Sequence, residues 1–237
     1  MSKSRILIAL DVATVAEAVT LADTLRGEVG GLKIGKQLFT AVGPEIVRAL
    51  VARGDRVFLD LKFHDIPNTV AGAVTSAADL GVWMLNVHAS GGAAMMDAAR
   101  TAADQSATRH GGARPLVIAV TVLTSLDEAA LRAVGIDRDP LDLAVRLARL
   151  AQTAGLDGVV ASPRETAAIR EACGPDFVIV TPGIRGGSAA AGPDDQQRTM
   201  TPAGAIGAGS SYLVVGRPIT SAPDPRATAR RINEEMG

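Results

Sequence analysis

The chain has 237 residues, of which 47% are hydrophobic and 21% charged, and its formal net charge is −1. This length suits one α/β barrel, and the nearly balanced charge gives no indication of a nucleic-acid or membrane partner. The single cysteine, Cys173, excludes an internal disulfide framework. We expect a soluble, cytoplasmic protein, because the first apolar run, residues 6–10, is too short for a signal peptide or a membrane helix.

Short apolar segments alternate along the chain with Ala-rich amphipathic segments. The apolar segments lack regular polar alternation, which is typical of strands buried on both faces. They predict strands over residues 6–10, 32–36, 57–62, 84–89, 116–123, 158–161, 177–181 and 212–216. The segments between them predict helices over 15–26, 44–53, 70–80, 92–103, 141–154 and 164–172. This order favours an α/β protein, a closed (β/α)8 TIM barrel, with a single domain over residues 1–237.

The alternative fold for this pattern is an open, doubly wound parallel sheet. Such sheets often carry a G-x-G-x-x-G fingerprint after the first strand, and the chain has none there. Neither a linker-like composition nor an internal repeat indicates a second domain. The Gly-rich stretch 186–192 predicts a flexible loop rather than a domain boundary.

The third predicted strand carries charged residues that a buried strand normally excludes. Alternation along the strand places Asp60 and Lys62 on the same face as Phe58, and Asp65 follows in the next turn. Burying charge is costly unless the charges are paired or used in chemistry. We therefore interpret Asp60, Lys62 and Asp65 as a catalytic group, the alternative being a structural ion pair.

Further polar residues follow other predicted strands, at the end of the barrel where catalytic residues gather. They are Asp11, Lys33, His88, Thr124, Ser125 and the segments 182–185 and 216–218. Arg185 and Arg217 accompany glycine-containing turns after strands seven and eight. This arrangement is typical of a phosphate site, because glycine admits close backbone approach and arginine pairs with phosphate oxygens.

Several of these residues have a simpler interpretation. Asp11 and Asp65 each precede a predicted helix, where aspartate is a frequent N-cap. His88 fits a strand-end residue better than a catalyst, and Lys36, the last residue of the second predicted strand, fits a solvated side chain. The sequence alone leaves the capping and the catalytic interpretations of the two aspartates open.

Taken together, the motifs resemble those of the orotidine 5′-phosphate decarboxylase family. The resemblance covers the whole chain, in the family's order and spacing. It rests on Leu10-Asp11, Lys33-Ile34-Gly35, the segment 60–69, Asn86-Val87-His88-Ala89, Leu123-Thr124-Ser125, the segment 181–185, Asp195-Gln196-Gln197-Arg198 and the segment 215–219. It implies decarboxylation of orotidine 5′-phosphate to UMP without metal or cofactor, in a homodimer with shared active sites.

The resemblance also implies a role for each matching residue. Lys62 would protonate C6, Asp60 would lie against the substrate carboxylate, and Lys33 would hold Asp60. The ribose hydroxyls would contact Asp11 and Lys33, and the pyrimidine would contact Thr124. The remaining implied substrate contacts are Pro182, together with the phosphate ligands Arg185, Gln196, Gly216 and Arg217, with loop 186–192 as a lid. Asp65 and Thr69 would reach into the partner subunit's site.

Two other functions compete with this one. The 3-keto-gulonate 6-phosphate decarboxylases and hexulose-phosphate synthases share the D-x-K-x-x-D pattern, but they depend on Mg²⁺. They carry a glutamate metal ligand on strand two, where this chain has Lys33. The second alternative is a catalytically inactive barrel that binds a phosphate ligand, against which the intact set of Asp60, Lys62 and Asp65 argues.

Overall fold

The computed structural model describes residues 4–184 and 200–237. Eight parallel strands pair in chain order, and the first also pairs with the last, which closes a barrel. The strands are Ile6–Ala9 (β1), Gly31–Gly35 (β2), Val57–Phe63 (β3), Met84–His88 (β4), Leu116–Val120 (β5), Gly158–Val160 (β6), Val178–Thr181 (β7) and Tyr212–Val215 (β8). The predicted (β/α)8 barrel is confirmed.

Helices follow the strands and surround the barrel. They are Val15–Thr24 (α1), Lys36–Val42 (α2), Glu45–Ala52 (α3), Pro67–Asp79 (α4), Ala93–His110 (α5), Glu128–Ala133 (α6), Pro140–Thr153 (α7), Thr166–Cys173 (α8), Pro202–Gly207 (α9), Arg217–Thr220 (α10) and Pro225–Met236 (α11), with a 3₁₀ turn at Ala89–Gly91. Within the described ranges, no helix has both the length and the apolar character that a membrane span requires.

The strand alternation predicted from the sequence separates two apolar layers. Phe58 packs inside the barrel with Leu7, Met84, Ile118 and Val180. Its neighbours Val57 and Leu59 belong to the larger layer between the barrel and the helices. Every second residue of a strand therefore faces the barrel interior, where the Phe58 layer fills the space beneath the C-terminal ends of the strands.

Most predicted boundaries differ from the structure by a few residues. The predicted strand 116–123 ends early, at Val120, because its pairing with β6 stops there. The apolar residues Val122 and Leu123 instead line a cavity beyond the strand end. Conversely, α5 continues past the predicted residue 103 to His110, where Gly111 ends it in the left-handed conformation.

Five helices were not predicted: α2, α6, α9, α10 and α11. Four of them have no more than seven residues, too short for a periodic pattern to be recognised. The fifth, α11, had a recognisable start, because Asp224 caps it and Pro225 occupies its first turn. Its low mean hydropathy, from many charged residues, concealed the apolar stripe.

The capping interpretation of Asp11 and Asp65 is wrong. Helix α1 begins with a capping box between Thr14 and Glu17, so Asp11 is not needed there. Helix α4 has Ile66 at its N-cap, without a side-chain cap. The Asp65 carboxylate accepts a hydrogen bond only from the adjacent Ile66 N–H, at 2.6 Å, and not from the first turn of the helix.

We predict that a methyl group at Gly158 destabilises the barrel. A Cβ there would lie 2.1 Å from the Val178 carbonyl oxygen of the paired strand β7, so the two strands would have to separate. Gly158→Ala should lower the free energy of unfolding by about 1–3 kcal/mol. Gly112→Ala is the control, since no atom lies within 4 Å of its added Cβ. Equal urea midpoints for the two variants would contradict this account.

Candidate active site

A cavity of about 890 Å³ opens at the C-terminal end of the strands. Its walls come from β1 to β3 on one side and from the segments after β5, β7 and β8 on the other. Among its lining residues are most of those singled out from the sequence: Asp11, Lys33, Asp60, Lys62, Thr124, Ser125, Pro182, Gly216 and Arg217. The structure therefore brings together residues that are as much as 206 positions apart in the sequence (Asp11 to Arg217, 217 − 11).

Four charged side chains form a continuous chain of alternating sign along one wall of this cavity. The Lys33 Nζ lies 3.3 Å from Asp11 Oδ1 and 3.6 Å from Asp60 Oδ2. The Lys62 Nζ lies 2.6 Å from Asp60 Oδ1. Asp60 thus stands between two ammonium groups, and Lys33 stands between two carboxylates.

Strand register places these four groups side by side. Lys33 pairs with Ala9, two residues before Asp11, and Asp60 pairs with Gly35 of the neighbouring strand. Gly35 leaves room for the pair beside it, because a Cβ there would lie 3.1 Å from the Lys33 Nζ. The sequence places the charges on adjacent strands, and the missing side chain at Gly35 leaves room for the ion pair between Lys33 and Asp11.

The charged chain begins at an exposed carboxylate and is most buried at its two central members. Side-chain exposure falls from 55% at Asp11 to 9% at Lys33 and 13% at Asp60, and it is 26% at Lys62. Buried ion pairs cost desolvation energy that their attraction often fails to recover, so apolar side chains would serve stability equally well. Retaining four charges in this position therefore indicates a chemical use for them.

Asn86 contacts two of the charged residues, although in the sequence it had no role beyond its place in the motif Asn86-Val87-His88-Ala89. Its side chain is fully buried, donates a hydrogen bond from Nδ2 to Asp60 Oδ1 at 2.7 Å, and accepts one at Oδ1 from the Lys62 N–H at 2.8 Å. One amide therefore fixes both the Asp60 carboxylate and the Lys62 backbone. Its position on β4, next to β3, was the available signal, since a buried asparagine in an apolar strand needs partners.

Lys62 has an unusual backbone conformation. Its φ of 56° is the only positive value among the non-glycine residues that the structure describes. The register between β3 and β4 shifts between Leu59 and Phe63, as in a β-bulge. A left-handed lysine costs about 1–2 kcal/mol, so the bond from its N–H to Asn86 compensates part of the strain that aims the ammonium group at Asp60.

Other predicted residues lie outside this cavity or outside the described residues. Asp65 and Thr69 are exposed and do not line it. Arg185, Gln196 and the loop 186–192 fall within residues 185–199, which the structure does not describe. The cavity also receives Gln37 from α2, for which the sequence had offered no signal.

His88 lies beside the charged chain and stacks on His64, with 5.3 Å between the ring centroids. Burial of the ring, followed by the charges of His64, Lys62 and Lys36, lowers the pKa of His88 to about 4. Its imidazole is therefore neutral at pH 7, and it adds no further positive charge next to Lys62. This agrees with the interpretation of His88 as a strand-end residue.

We predict that His88 makes the protein less stable as the pH falls from about 6.5 to about 4. Because the folded pKa is depressed, the unfolded chain binds a proton in this range before the folded protein does, and protonation favours unfolding. The free energy of unfolding, measured in urea, should decrease less in His88→Gln over the same range. A His88 ring that titrates near pH 6.5 in NMR spectra would contradict the prediction.

Comparisons with known proteins agree with this geometry. The model of the orotidine 5′-phosphate decarboxylase / HUMPS family matches residues 4–232. An orotidine 5′-phosphate decarboxylase of Moorella thermoacetica is 57% identical over 99% of this chain and 93% of its own. One of Alkalilimnicola ehrlichii is 56% identical over 100% and 97%.

A solved structure of an orotidine 5′-phosphate decarboxylase from Lactobacillus acidophilus has the same fold. It superposes with a TM-score of 0.87 at 35% identity, covering 99% of this chain and all of its own. Family model, relatives and fold lead to the same assignment: this chain belongs to the orotidine 5′-phosphate decarboxylase / HUMPS family.

Proposed function

We propose that this chain is an orotidine 5′-phosphate decarboxylase, a carboxy-lyase that forms UMP and CO₂ in pyrimidine synthesis. The observation that carries the proposal is the alternating chain of Asp11, Lys33, Asp60 and Lys62 on the wall of a cavity that also contains Arg217. The names of the relatives agree with it. The enzyme would act as a single barrel domain in the cytoplasm, where a charged nucleotide substrate is retained.

The reaction needs stabilisation of negative charge at one carbon. When the bond between C6 and the carboxylate breaks, CO₂ leaves and the electron pair stays on C6, without an adjacent π system to accept it. The Lys62 ammonium can stabilise this pair and then donate its proton to C6, and solvent returns a proton to the amine. Enzymes lower barriers by roughly 8–23 kcal/mol, and this reaction requires the upper part of that range.

The residues around Lys62 hold it in position before the reaction begins. Asp60 and Asn86 hold the Lys62 side chain and backbone before substrate arrives, so little reorganisation is needed when charge develops. A substrate carboxylate placed beside Asp60 would also be repelled by it. This repulsion is relieved as the carboxylate departs as neutral CO₂.

The rest of the cavity suits the remainder of the nucleotide. Thr124 and Ser125 can bond the polar edge of the pyrimidine, and Asp11 with Lys33 can bond ribose hydroxyls. Pro182, Gly216 and Arg217 lie where barrels of this class commonly hold a phosphate. Arg185, Gln196 and the lid 186–192 stay part of the proposal, although they lie outside the described residues.

The Mg²⁺-dependent sugar-phosphate enzymes of the same family are the second candidate. Their metal would have to lie between carboxylates of strands one to three. The Lys33 ammonium is within 3.3 Å of Asp11 and 3.6 Å of Asp60, so a cation already occupies that position. A second, divalent cation there would be repelled by Lys33, which favours the metal-independent reaction.

We predict that the protein converts orotidine 5′-phosphate to UMP after exhaustive EDTA treatment. Lys33 and Lys62 supply the positive charge that a metal would otherwise provide. The ultraviolet spectrum follows the reaction directly, and Lys62→Ala should be inactive while retaining its circular dichroism. Activity that requires Mg²⁺, or that appears only with a hexulose phosphate, would transfer the assignment to the second candidate.

Asn86→Ala should lower kcat by on the order of 10–100-fold with little change in KM, because misplacing a reacting group by about 1 Å can cost that much. Ser106→Ala is a matched control, since Ser106 is also buried and donates to a carboxylate, that of Asp79 at 2.6 Å. Both variants lose a buried hydrogen bond, but only Asn86 touches Asp60 and Lys62. Equal kcat values in the two variants would refute a positioning role.

We also propose that two subunits share each active site. Asp65 and Thr69 are exposed and do not line their own subunit's cavity, and the adjacent Ile66 is 67% exposed. These features support a partner surface at the start of α4. A symmetric dimer would then place Asp65 of each chain against the other chain's Lys62.

Mixing two inactive variants tests this arrangement. Lys62→Ala and Asp65→Ala homodimers should both be nearly inactive. In the mixed dimer one site receives both lesions and the other receives neither, so symmetry predicts about half of the wild-type activity for each heterodimer. If mass spectrometry detects heterodimers and no activity returns, Asp65 acts within its own subunit.

A further inference from the structure

A second cavity, of about 640 Å³, opens at the N-terminal end of the barrel. Arg5 and Arg56 line it and directly precede β1 and β3, and Val178 and Tyr212 begin β7 and β8. The apolar layer around Phe58 lies inside the barrel, between this opening and the active-site cavity. The two cavities therefore open at opposite ends of the molecule.

The charged residues described in the lining of this second cavity are all positive. Three arginines, Arg5, Arg56 and Arg170, line it, and none of the described lining residues is acidic. Arginines on neighbouring loops of the same end are paired: Arg53 contacts Asp55, and Arg114 contacts Asp157. Within residues 4–184 and 200–237, neither Arg5 nor Arg56 forms such a salt bridge.

Arg170 forms the fixed wall of the cavity. Its guanidinium donates hydrogen bonds to the carbonyl oxygens of Gly174, Phe177 and Gly209, at 2.6, 2.7 and 2.8 Å. These bonds tie together the two loops that precede β7 and β8. Because they use its donors for structure, Arg170 shapes the cavity but leaves ligand binding to the other two arginines.

Between described residues, the guanidinium groups of Arg56 and Arg5 donate no hydrogen bond. The Arg56 guanidinium lies 3.6 Å above the ring of Trp83, which in turn contacts the Tyr212 ring edge-on at 5.2 Å. A cation on an aromatic face keeps the N–H groups at its rim available to an acceptor. Arg5 is exposed, and Ser211 and Tyr212 line the same cavity.

We propose that this cavity binds a small anion carrying at least two phosphate groups. Guanidinium groups pair with phosphate oxygens in a planar, bidentate fashion. Arg5 and Arg56 lie on separate loops, and the described part of the lining contains no acidic residue, so the pair matches two phosphate groups better than one. The site is separate from the proposed substrate cavity. It would bind its ligand through charge and geometry and would not convert it.

Trp83 provides a direct test, since it is the only tryptophan of the chain. Pyrophosphate is titrated into the full-length protein at constant ionic strength, with and without UMP, while tryptophan fluorescence is recorded. An anion that pairs with Arg56 beside the ring should change the emission in a saturable manner, equally in both series. A change reproduced by sodium chloride, or one that does not saturate, overturns the proposal. The readout does not depend on decarboxylase activity.

Variants locate the binding. Arg5→Gln removes an exposed side chain and leaves the Arg56–Trp83 contact intact, so it should weaken pyrophosphate binding about tenfold or more, as expected for lost charge-assisted hydrogen bonds. Arg146→Gln, at an exposed position of α7 outside the cavity, should bind as the wild type does. Unchanged affinity in Arg5→Gln, in a protein with wild-type circular dichroism, overturns the proposal.

Calorimetry measures anion binding without relying on tryptophan fluorescence. Arg56→Gln, whose fluorescence changes for a separate reason, should show the same loss of pyrophosphate binding as Arg5→Gln. A nucleoside diphosphate such as ADP, titrated in parallel, distinguishes the two sources of the diphosphate group. If ADP binds more tightly than pyrophosphate, the ligand is a nucleotide. If the two bind equally, the site recognises the phosphate groups alone. Binding of neither compound contradicts the proposal.

Discussion

The candidate active site depends on the contacts that the Asp60 carboxylate makes with its neighbours. This carboxylate receives the Lys62 ammonium and the Asn86 amide on one oxygen, and the Lys33 ammonium lies 3.6 Å from the other. Through Lys33 it is also connected to Asp11. One buried anion therefore links side chains from β2, β3 and β4 to a residue just after β1, and it sets the positions of both ammonium groups.

This arrangement explains why strain is tolerated at the same place. Lys62 adopts a left-handed backbone conformation at the register shift between β3 and β4. The strained geometry survives because the Asn86 amide and the Asp60 carboxylate together hold the residue at its backbone and at its ammonium group. Removal of either partner would relax the strain and move the ammonium from the position at which the proposed reaction needs it.

The two ends of the barrel use charge in different ways. At the C-terminal end, opposite charges alternate and nearly cancel, which suits an environment that must stabilise a transient charge. At the N-terminal end, Arg5 and Arg56 have no acidic partner among the described residues, which suits a permanent anion. The apolar layer of Leu7, Phe58, Met84, Ile118 and Val180 lies between them, so each end can be altered without direct contact with the other.

The amino-acid sequence by itself determined the barrel, because eight apolar segments alternating with amphipathic ones admit few other folds. Strand alternation also determined that Phe58, Asp60 and Lys62 share one face, since the period of two follows from local geometry. The family resemblance pointed to the reaction. Strand and helix ends were less predictable, because pairing with a neighbouring strand decides where β5 stops.

Only the tertiary structure decided which distant residues meet. It brought Asn86 against both Asp60 and Lys62, and it brought Gln37 of α2 into the lining of the cavity. Local periodicity carries no information about register between strands, and that register sets Asp60 opposite Gly35. The cavity of Arg5 and Arg56 arises in the same way, because residues far apart in the chain become neighbours only when the barrel closes.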